Sequence, residues 1–365
     1  MRSNAPVGAI TARAYTLPTD APEADGTFAW RKTTLVVVTV EAGGVRGLGY
    51  TYSAEASVGL VKDTLAAALH GRDVFDIPHC HRLMLNAVRN MGRSGLAATA
   101  ISAVDAALWD LKAKLLGLPL VDLLGRAREE VPIYGSGGFT SYDDAQLTRQ
   151  LAGWVERDGC RAVKMKIGAD PEDDPRRVRV ARSAIGDAAL FVDANGALSV
   201  KKALRFADIF AAEAGVAWFE EPVSSDDLDG LAQVRAGAPS CMDIAAGEYS
   251  YNTDDVRRML TRQAVDVQQA DASRCVGVTG FVQAGVLCDA HHIDLSGHCA
   301  PALHLHCACA VPRLRHLEWF HDHVRIEQML FDGAPIANNG TIRPDLSRPG
   351  LGLEFKQQDA ERYAT

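Results

Sequence analysis

Val163-Lys164-Met165-Lys166-Ile167-Gly168 alternates apolar and basic side chains ahead of a glycine, as a short strand does when one of its faces is packed into a core. In an extended chain Lys164 and Lys166 emerge on the same side, about 7 Å apart. Two ammonium groups sharing one site disfavour each other's charge, and partial burial acts in the same sense. The expectation is a lysine that gives up its proton more readily than a free one, and such a residue is a base. An isolated Lys-x-Lys is also what a wetted strand face looks like. The acids that follow it therefore carry the argument.

Around this stretch, short apolar strands alternate with amphipathic helical segments. They read as 131–139, 162–168, 190–195, 216–222, 243–248, 265–271, 293–298 and 317–320. Eight strands with helical connections are the pattern of a (β/α) barrel, the alternative being an open doubly wound sheet. No G-x-G-x-x-G or P-loop follows any of them, so a nucleotide site has no support and the barrel is preferred. Barrel enzymes collect their active groups where strands end. From the second strand on, each strand here ends in a candidate: Lys166, Asp193, Glu220, Glu248, Asp271, His298 and Glu318, separated by 20 to 28 residues. That spacing is about one barrel unit.

Asp193, Glu220 and Glu248 on consecutive strands supply hard oxygen ligands of the kind Mg²⁺ prefers. They would repel one another unless a cation sat among them. Zinc fits less well, because the histidines and cysteines lack its ligand spacing. His304-Leu305-His306-Cys307-Ala308-Cys309 lies in an apolar, helical run and reads as core. His291-His292 and His321-Asp322-His323 read as solvated loop or helix-end residues. His298 differs, since Asp271 ends the preceding strand and an aspartate beside a ring N–H fixes the tautomer and raises basicity.

Ahead of the barrel, Ile10 to Leu17, Lys32 to Glu41 and Gly47 to Ser53 read as an antiparallel meander with a turn at Gly43-Gly44. Pro18 to Phe28, rich in Pro, Asp and Gly, reads as a mobile loop and a candidate lid. From Ala56 to Gly125 the periodicity is helical. It is clearest where Ile101, Val104, Leu108, Leu111 and Leu115 recur at three- and four-residue steps, before Gly117 and Pro119 end the helix. The segment after Phe331 reads as turns and short strands that return to the first domain.

The 365 residues are long for one core. A net charge of −8 and the lack of a basic block argue against a nucleic-acid or polyphosphate partner. Leu35-Val36-Val37-Val38 is far too short to span a bilayer, and no signal-peptide core is evident, so a cytoplasmic protein with no membrane partner is expected. The eight cysteines form no C-x-x-C pair and read as reduced core residues.

As a set, Lys164-x-Lys166, Asp193-x-Asn195-Gly196, Glu220-Glu221-Pro222, Gly247-Glu248, the Asp271 and His298 pair and Glu318 in Leu317-Glu318-Trp319 resemble the enolase superfamily, mandelate racemase subgroup. The likeness covers nearly the whole chain. It implies an α/β fold, a modified TIM barrel (β/α)7β with an N-terminal α+β capping domain. The expected division is a capping domain over 1–128, a catalytic barrel over 129–330 and a returning segment over 331–365. A Lys or His base working with Mg²⁺ is a known combination in this superfamily.

The resemblance further implies that Asp193, Glu220 and Glu248 hold Mg²⁺, which holds a substrate carboxylate. Lys166 is then the base on one face of the α-carbon, and Lys164 contacts the carboxylate and depresses the pKa of Lys166. His298, oriented by Asp271, is the acid or base on the other face. Glu318 hydrogen-bonds a carboxylate oxygen as a neutral acid, and Asn195 is expected to contact substrate. Strand alternation implies that Glu220 and Glu221 do not both face the mouth. Departures from the family pattern are Ala270 where proline is common, Cys275-Val276-Gly277 where a Gly-Gly pair is common, and Tyr249 where asparagine is frequent.

The implied chemistry is Mg²⁺-dependent α-proton abstraction through an enediolate. The leading expectation is an acid-sugar dehydratase, a hydro-lyase acting on an aldonate or aldarate. A racemase or epimerase is second and a sugar-acid lactone cycloisomerase third. Substrate choice is expected from the capping segments 19–30 and 50–58, with Phe28, Trp30 and Tyr52 as candidate wall residues, and a homo-oligomer is expected.

Overall fold

The computed structural model describes residues 4–365. Strands β1 (Ile10–Ala24), β2 (Ala29–Ala42) and β3 (Val45–Tyr52) form an antiparallel sheet in that order. The β-branched run Thr33 to Val40 places Leu35, Val36 and Val38 fully inside. Helix Leu96–Leu116 packs across the sheet, with Ile101, Val104, Leu108 and Leu111 fully buried. Each such side chain stabilises the fold by roughly 1.5–3 kcal/mol relative to exposure. Gly117 ends the helix in the left-handed conformation (φ 67°), as a C-terminal glycine commonly does.

The approach of β3 to that helix is very close. A Cβ on Gly49 would lie 2.1 Å from the Ala103 carbonyl oxygen, so the contact requires glycine. Asp110, buried in the same helix, accepts the Leu48 and Leu351 backbone N–H groups, both at 2.7 Å. Asp105 accepts Thr279 N–H at 2.9 Å and its hydroxyl at 2.7 Å, tying the cap to the barrel helix Gly277–Ala290.

The barrel strands are β4 (Val131–Gly137), β5 (Ala162–Lys166), β6 (Ala189–Asp193), β7 (Val216–Glu220), β8 (Asp243–Ala246), β9 (Val267–Ala270), β10 (Asp294–Gly297) and β11 (Leu314–Phe320). They pair in parallel in sequence order, and β11 pairs with β4 to close the ring. An α-helix separates each strand from the next. All eight strands fall where the apolar runs lie. Alternation sends Val163 and Met165 of β5 to the helical layer and Lys164 and Lys166 inward. Tyr134, Phe191, Trp218 and His316 fill the interior below the mouth, with the Phe191 and Trp218 rings stacked 5.2 Å apart. The barrel is thus a packed floor and no pore.

After helix His321–Leu330 the chain returns to the cap. β12 (Phe331–Asp332) pairs with β14 (Glu354–Phe355), while β13 (Thr341–Ile342) pairs with the start of β4. Phe331 stacks on Tyr50 at 4.7 Å, and Arg13 and Glu361 form an ion pair at 2.8 Å.

The reading of 18–28 as a mobile loop is corrected. β1 and β2 continue through it, with a register shift between Pro18 and Glu23, and the turn is confined to residues 25–28. Asp25 stabilises that turn by accepting the N–H groups of Thr27 and Phe28. The hairpin tip rests on the barrel mouth, where a Cβ on Gly26 would lie 2.5 Å from Ile167 O and 2.7 Å from Ala194 O. Proline and acidic residues mark an irregular strand here, because packing on the barrel supplies what propensity lacks.

Candidate active site

Strand register sets the first level of the site. Lys166 lies opposite Asp193 and Asp193 opposite Glu220, so three side chains project from one height at the C-terminal ends of β5, β6 and β7. Glu248 joins them through Gly247, whose φ of 136° and 2.2 Å approach to Gln269 O admit only glycine. Asp193, Glu220 and Glu248 are all buried, and each offers an oxygen within 4.8 Å of the others. Asn195 N–H donates to Asp193 Oδ1 at 2.9 Å, and the Trp218 indole donates to Glu220 Oε2 at 3.0 Å, which fixes both carboxylates.

Nitrogen groups bracket this triad. Lys166 Nζ is 2.5 Å from Asp193 Oδ2 on one side, and His298 Nε2 is 3.3 Å from Glu248 Oε2 on the other. His298 Nδ1 donates to Asp271 Oδ2 at 2.9 Å. Burial alone would push the Asp271 carboxyl up, but the His298 hydrogen bond and charge hold it well below the usual carboxylate range. Burial pulls the His298 imidazole down, and Cys299, Glu248, Glu318 and the Asp271 hydrogen bond together drive it well above an ordinary histidine.

Two expectations about charge are corrected. Lys164 does not sit as an unpaired ammonium beside Lys166: its Nζ is 2.5 Å from Glu220 Oε1, 2.8 Å from Glu318 Oε1 and 3.5 Å from Asp193 Oδ2. Burial lowers both lysines, and Lys164 lowers Lys166 as expected, yet Glu220, Glu318 and Asp193 raise Lys164, and Asp193, Glu248 and Glu220 raise Lys166, above the ordinary value. The acids, which a reading of the strand alone leaves out, decide the sign. Glu318 is likewise no neutral acid here. Burial raises it, but Lys164 and His298 hold it ionised, and it accepts from Ser136 Oγ at 2.5 Å and Cys299 N–H at 3.0 Å.

β7 ends at Glu220 and Glu221 turns into the left-handed region (φ 37°), and of the two only Glu220 joins the carboxylate triad. The Glu221 carboxyl is buried with Oε1 unpartnered. Burial and the neighbouring charges of Glu248, Asp193 and Glu220 push it well above the usual carboxylate range. Asn195 (φ 46°), Cys299 (φ 51°) and Ala300 (φ 38°) share this uncommon backbone at strand ends. Such strain persists where surrounding packing enforces it and collects at functional sites.

A cavity of about 190 Å³ opens over these groups, lined by Lys166, Asn195, Glu248, His298 and Glu318, with Trp30 and Thr33 from the cap. Asn195 Oδ1 is buried in it without a hydrogen-bond partner. Of the three candidate wall residues, Trp30 lines the cavity. Phe28 stacks on it at 6.1 Å but is exposed, and Tyr52 stacks instead on His323 at 3.4 Å.

Sequence reasoning missed Arg274 and His323. Arg274 Nη1 lies 3.3 Å from Glu248 Oε1, and its Nε lies 3.6 Å from Asp271 Oδ2. A basic residue three positions past a strand-end aspartate was the available signal. His323, read as solvated, is buried with Asp322 and accepts Ala300 N–H at 3.2 Å. His304 and His306 are core residues as read: Ala272 N–H donates to His304, and Val121 N–H to His306. The eight cysteines are unpaired and, apart from Cys241, buried. Among the described residues no helix is long and apolar enough to cross a membrane.

The donor set fits a hard dication. It is all oxygen, it is buried, and its three carboxylates converge within 4.8 Å of one another. Burial and the Asp193 charge, against Lys164, push Glu220 up to about 8.

Comparison with known proteins identifies the family. The family model for the mandelate racemase / muconate lactonizing enzyme N-terminal domain matches residues 10–125, and that described as enolase C-terminal domain-like matches 146–360. The L-talarate/galactarate dehydratase of Salmonella typhimurium is 33% identical over 325 residues, covering 86% of this chain and 78% of that protein. A mandelate racemase/muconate lactonizing enzyme-like protein from Rubrobacter xylanophilus superposes with a TM-score of 0.96 at 50% identity, covering 99% and 100% of the two chains. A racemase from Streptomyces coelicolor, solved with bound magnesium, superposes with a TM-score of 0.92 at 30% identity, covering 98% and 100%.

Proposed function

Because this chain belongs to the mandelate racemase/muconate lactonizing enzyme group of the enolase superfamily, we propose that it removes the α-proton of an acid-sugar carboxylate and then expels the β-hydroxyl as water. The observation that carries this reading is the placement of Lys166 and His298 on either side of the Asp193, Glu220 and Glu248 carboxylates within one small cavity.

Asp193, Glu220 and Glu248 would hold Mg²⁺. When bound, the ion supplies positive charge where a substrate carboxylate gains negative charge. Lys164 adds a second fixed charge at the same level, held by Glu220 and Glu318. Lys166, once uncharged, takes the proton from the α-carbon at Nζ. His298 gives its Nε2 proton to the departing β-hydroxyl, while Asp271 keeps the opposite ring nitrogen protonated and the ring in place. Loss of water leaves an enol, which tautomerises to a 2-keto-3-deoxy acid. The backbone-anchored Asn195 presents its free Oδ1 to a substrate hydroxyl. The Trp30 side of the cavity, closed by the cap, excludes bulk water.

The test is incubation with Mg²⁺ and a library of aldonates and aldarates. A 2-keto-3-deoxy product is expected from at least one member, and none from any member removes dehydration. The same two-sided pair of nitrogens also serves racemisation or epimerisation. Solvent deuterium entering C2 without loss of water moves the assignment there.

A further inference from the structure

We propose that Asp20, Glu23 and His321 form a second cation site, separate from the carboxylate triad, which takes a transition-metal dication such as Zn²⁺ or Co²⁺ and clips the capping hairpin to the barrel. Asp20 lies inside the register break of β1, where the strand leaves its pairing with β2 after Pro18, and Glu23 is the residue at which the pairing resumes. His321 begins the helix that follows β11, three residues beyond Glu318. Each of the three offers a ligand atom within 4.8 Å of the others. Zinc holds such atoms at about 2.0–2.2 Å, so small side-chain rotations bring all three onto one ion.

Glu23 points to an ion independently of that grouping. It is 1% exposed, its Oε2 accepts the Trp30 indole N–H at 2.7 Å, and its Oε1 is buried without a hydrogen-bond partner. A buried carboxylate with an unmatched oxygen is strongly unfavourable, and a bound dication removes that penalty. Arg325, whose charge is felt at Glu23, is committed elsewhere. It is engaged with Asp322, at 2.5 Å from Oδ1, and with Pro18 O at 2.8 Å, and Thr33 also donates to Asp322. Asp20 is met by His321 Nε2, 2.9 Å from Oδ2. Burial, with Asp322 and Asp20, pushes Glu23 up to about 8 against the Trp30 hydrogen bond and the Arg325 charge.

The ligand types separate the two sites. One imidazole nitrogen and two carboxylates suit Zn²⁺, Co²⁺ or Mn²⁺, whereas the all-oxygen triad suits Mg²⁺. A surface cleft lined by Asp20, Arg157 and His321 opens two of the three ligands to solvent. The consequence reaches the active site, since Trp30 lines its cavity and hangs from Glu23. An ion here holds that wall against the mouth.

The experiment is a Co²⁺ titration followed by visible d–d absorption, with Mg²⁺ in excess to occupy the triad. One equivalent per chain is expected to give a ligand-field band that Zn²⁺ abolishes and that survives in Glu248→Gln. His321→Ala and Asp20→Asn, both at solvent-reachable positions, should weaken binding tenfold or more. Zn²⁺ should protect the hairpin from limited proteolysis in the wild type and leave His321→Ala unprotected. No band in the Mg²⁺-saturated wild type, or a band of equal affinity in His321→Ala, overturns the site.

Discussion

Lys166 and His298 reach the same cavity from different strands, each beside a different member of the carboxylate triad. If they share the proton work, Lys166→Ala and His298→Asn should each lower turnover by about 10²–10⁴-fold while leaving Mg²⁺ affinity within a few-fold of wild type. Calorimetric Mg²⁺ binding beside steady-state rates separates loss of chemistry from loss of the site. Equal loss of binding in both variants contradicts the assignment. These residues were legible in the sequence because each ends an apolar strand, and strand ends meet at the mouth of a barrel. Arg274 and His323 were not, since their placement depends on how the chain turns after a strand, which no periodicity records. The direction for Lys166 and the ionised state of Glu318 were misread for a related reason. A strand shows a lysine's neighbours along the chain, while Glu220 and Glu318 approach Lys164 across the barrel.

Between elements, the seam of β3 with helix Leu96–Leu116 admits no added atom. Gly49→Ala should therefore cost about 1–3 kcal/mol or more by overpacking. A fall in the midpoint of thermal unfolding is expected, and an unchanged midpoint would show that the seam can open. The cap also meets the barrel through Tyr50, whose hydroxyl donates to Glu327 Oε1 at 2.6 Å. Burial pushes Glu327 from 4.5 up to about 8. A carboxyl with a raised folded pKa adds stability that is full below its unfolded value and is lost as pH rises through the folded one. Between about pH 5 and pH 9 the wild type should thus lose stability relative to Glu327→Gln. Parallel melting curves of the two across that range would refute it. The eight barrel strands and the long cap helix were readable from period and punctuation. The 18–28 hairpin was not, because its strands are built from Pro, Asp and Glu and are held by their seat on Ile167 and Ala194.

For the whole molecule, the buried acids set the behaviour. Mg²⁺ should stabilise the folded chain by about 2.7 kcal/mol at a hundredfold excess over its Kd, and a chelator should abolish activity reversibly. Thermal unfolding with and without Mg²⁺ checks this, and Asp193→Asn should remove most of the shift. The arrangement of cap, barrel and returning segment brings strands distant in sequence to one mouth. On the proposed function, substrate choice rests with the cap wall around Trp30, whose position is a product of tertiary packing. The most direct check of the central claim is proton NMR in D₂O with Mg²⁺ and the acid-sugar library, run on wild type and Lys166→Ala together. Loss of the C2 proton signal of at least one acid sugar with wild type, and its retention with the variant, is the expected result. Retention of every C2 signal with wild type, or equal loss with both proteins, would contradict it.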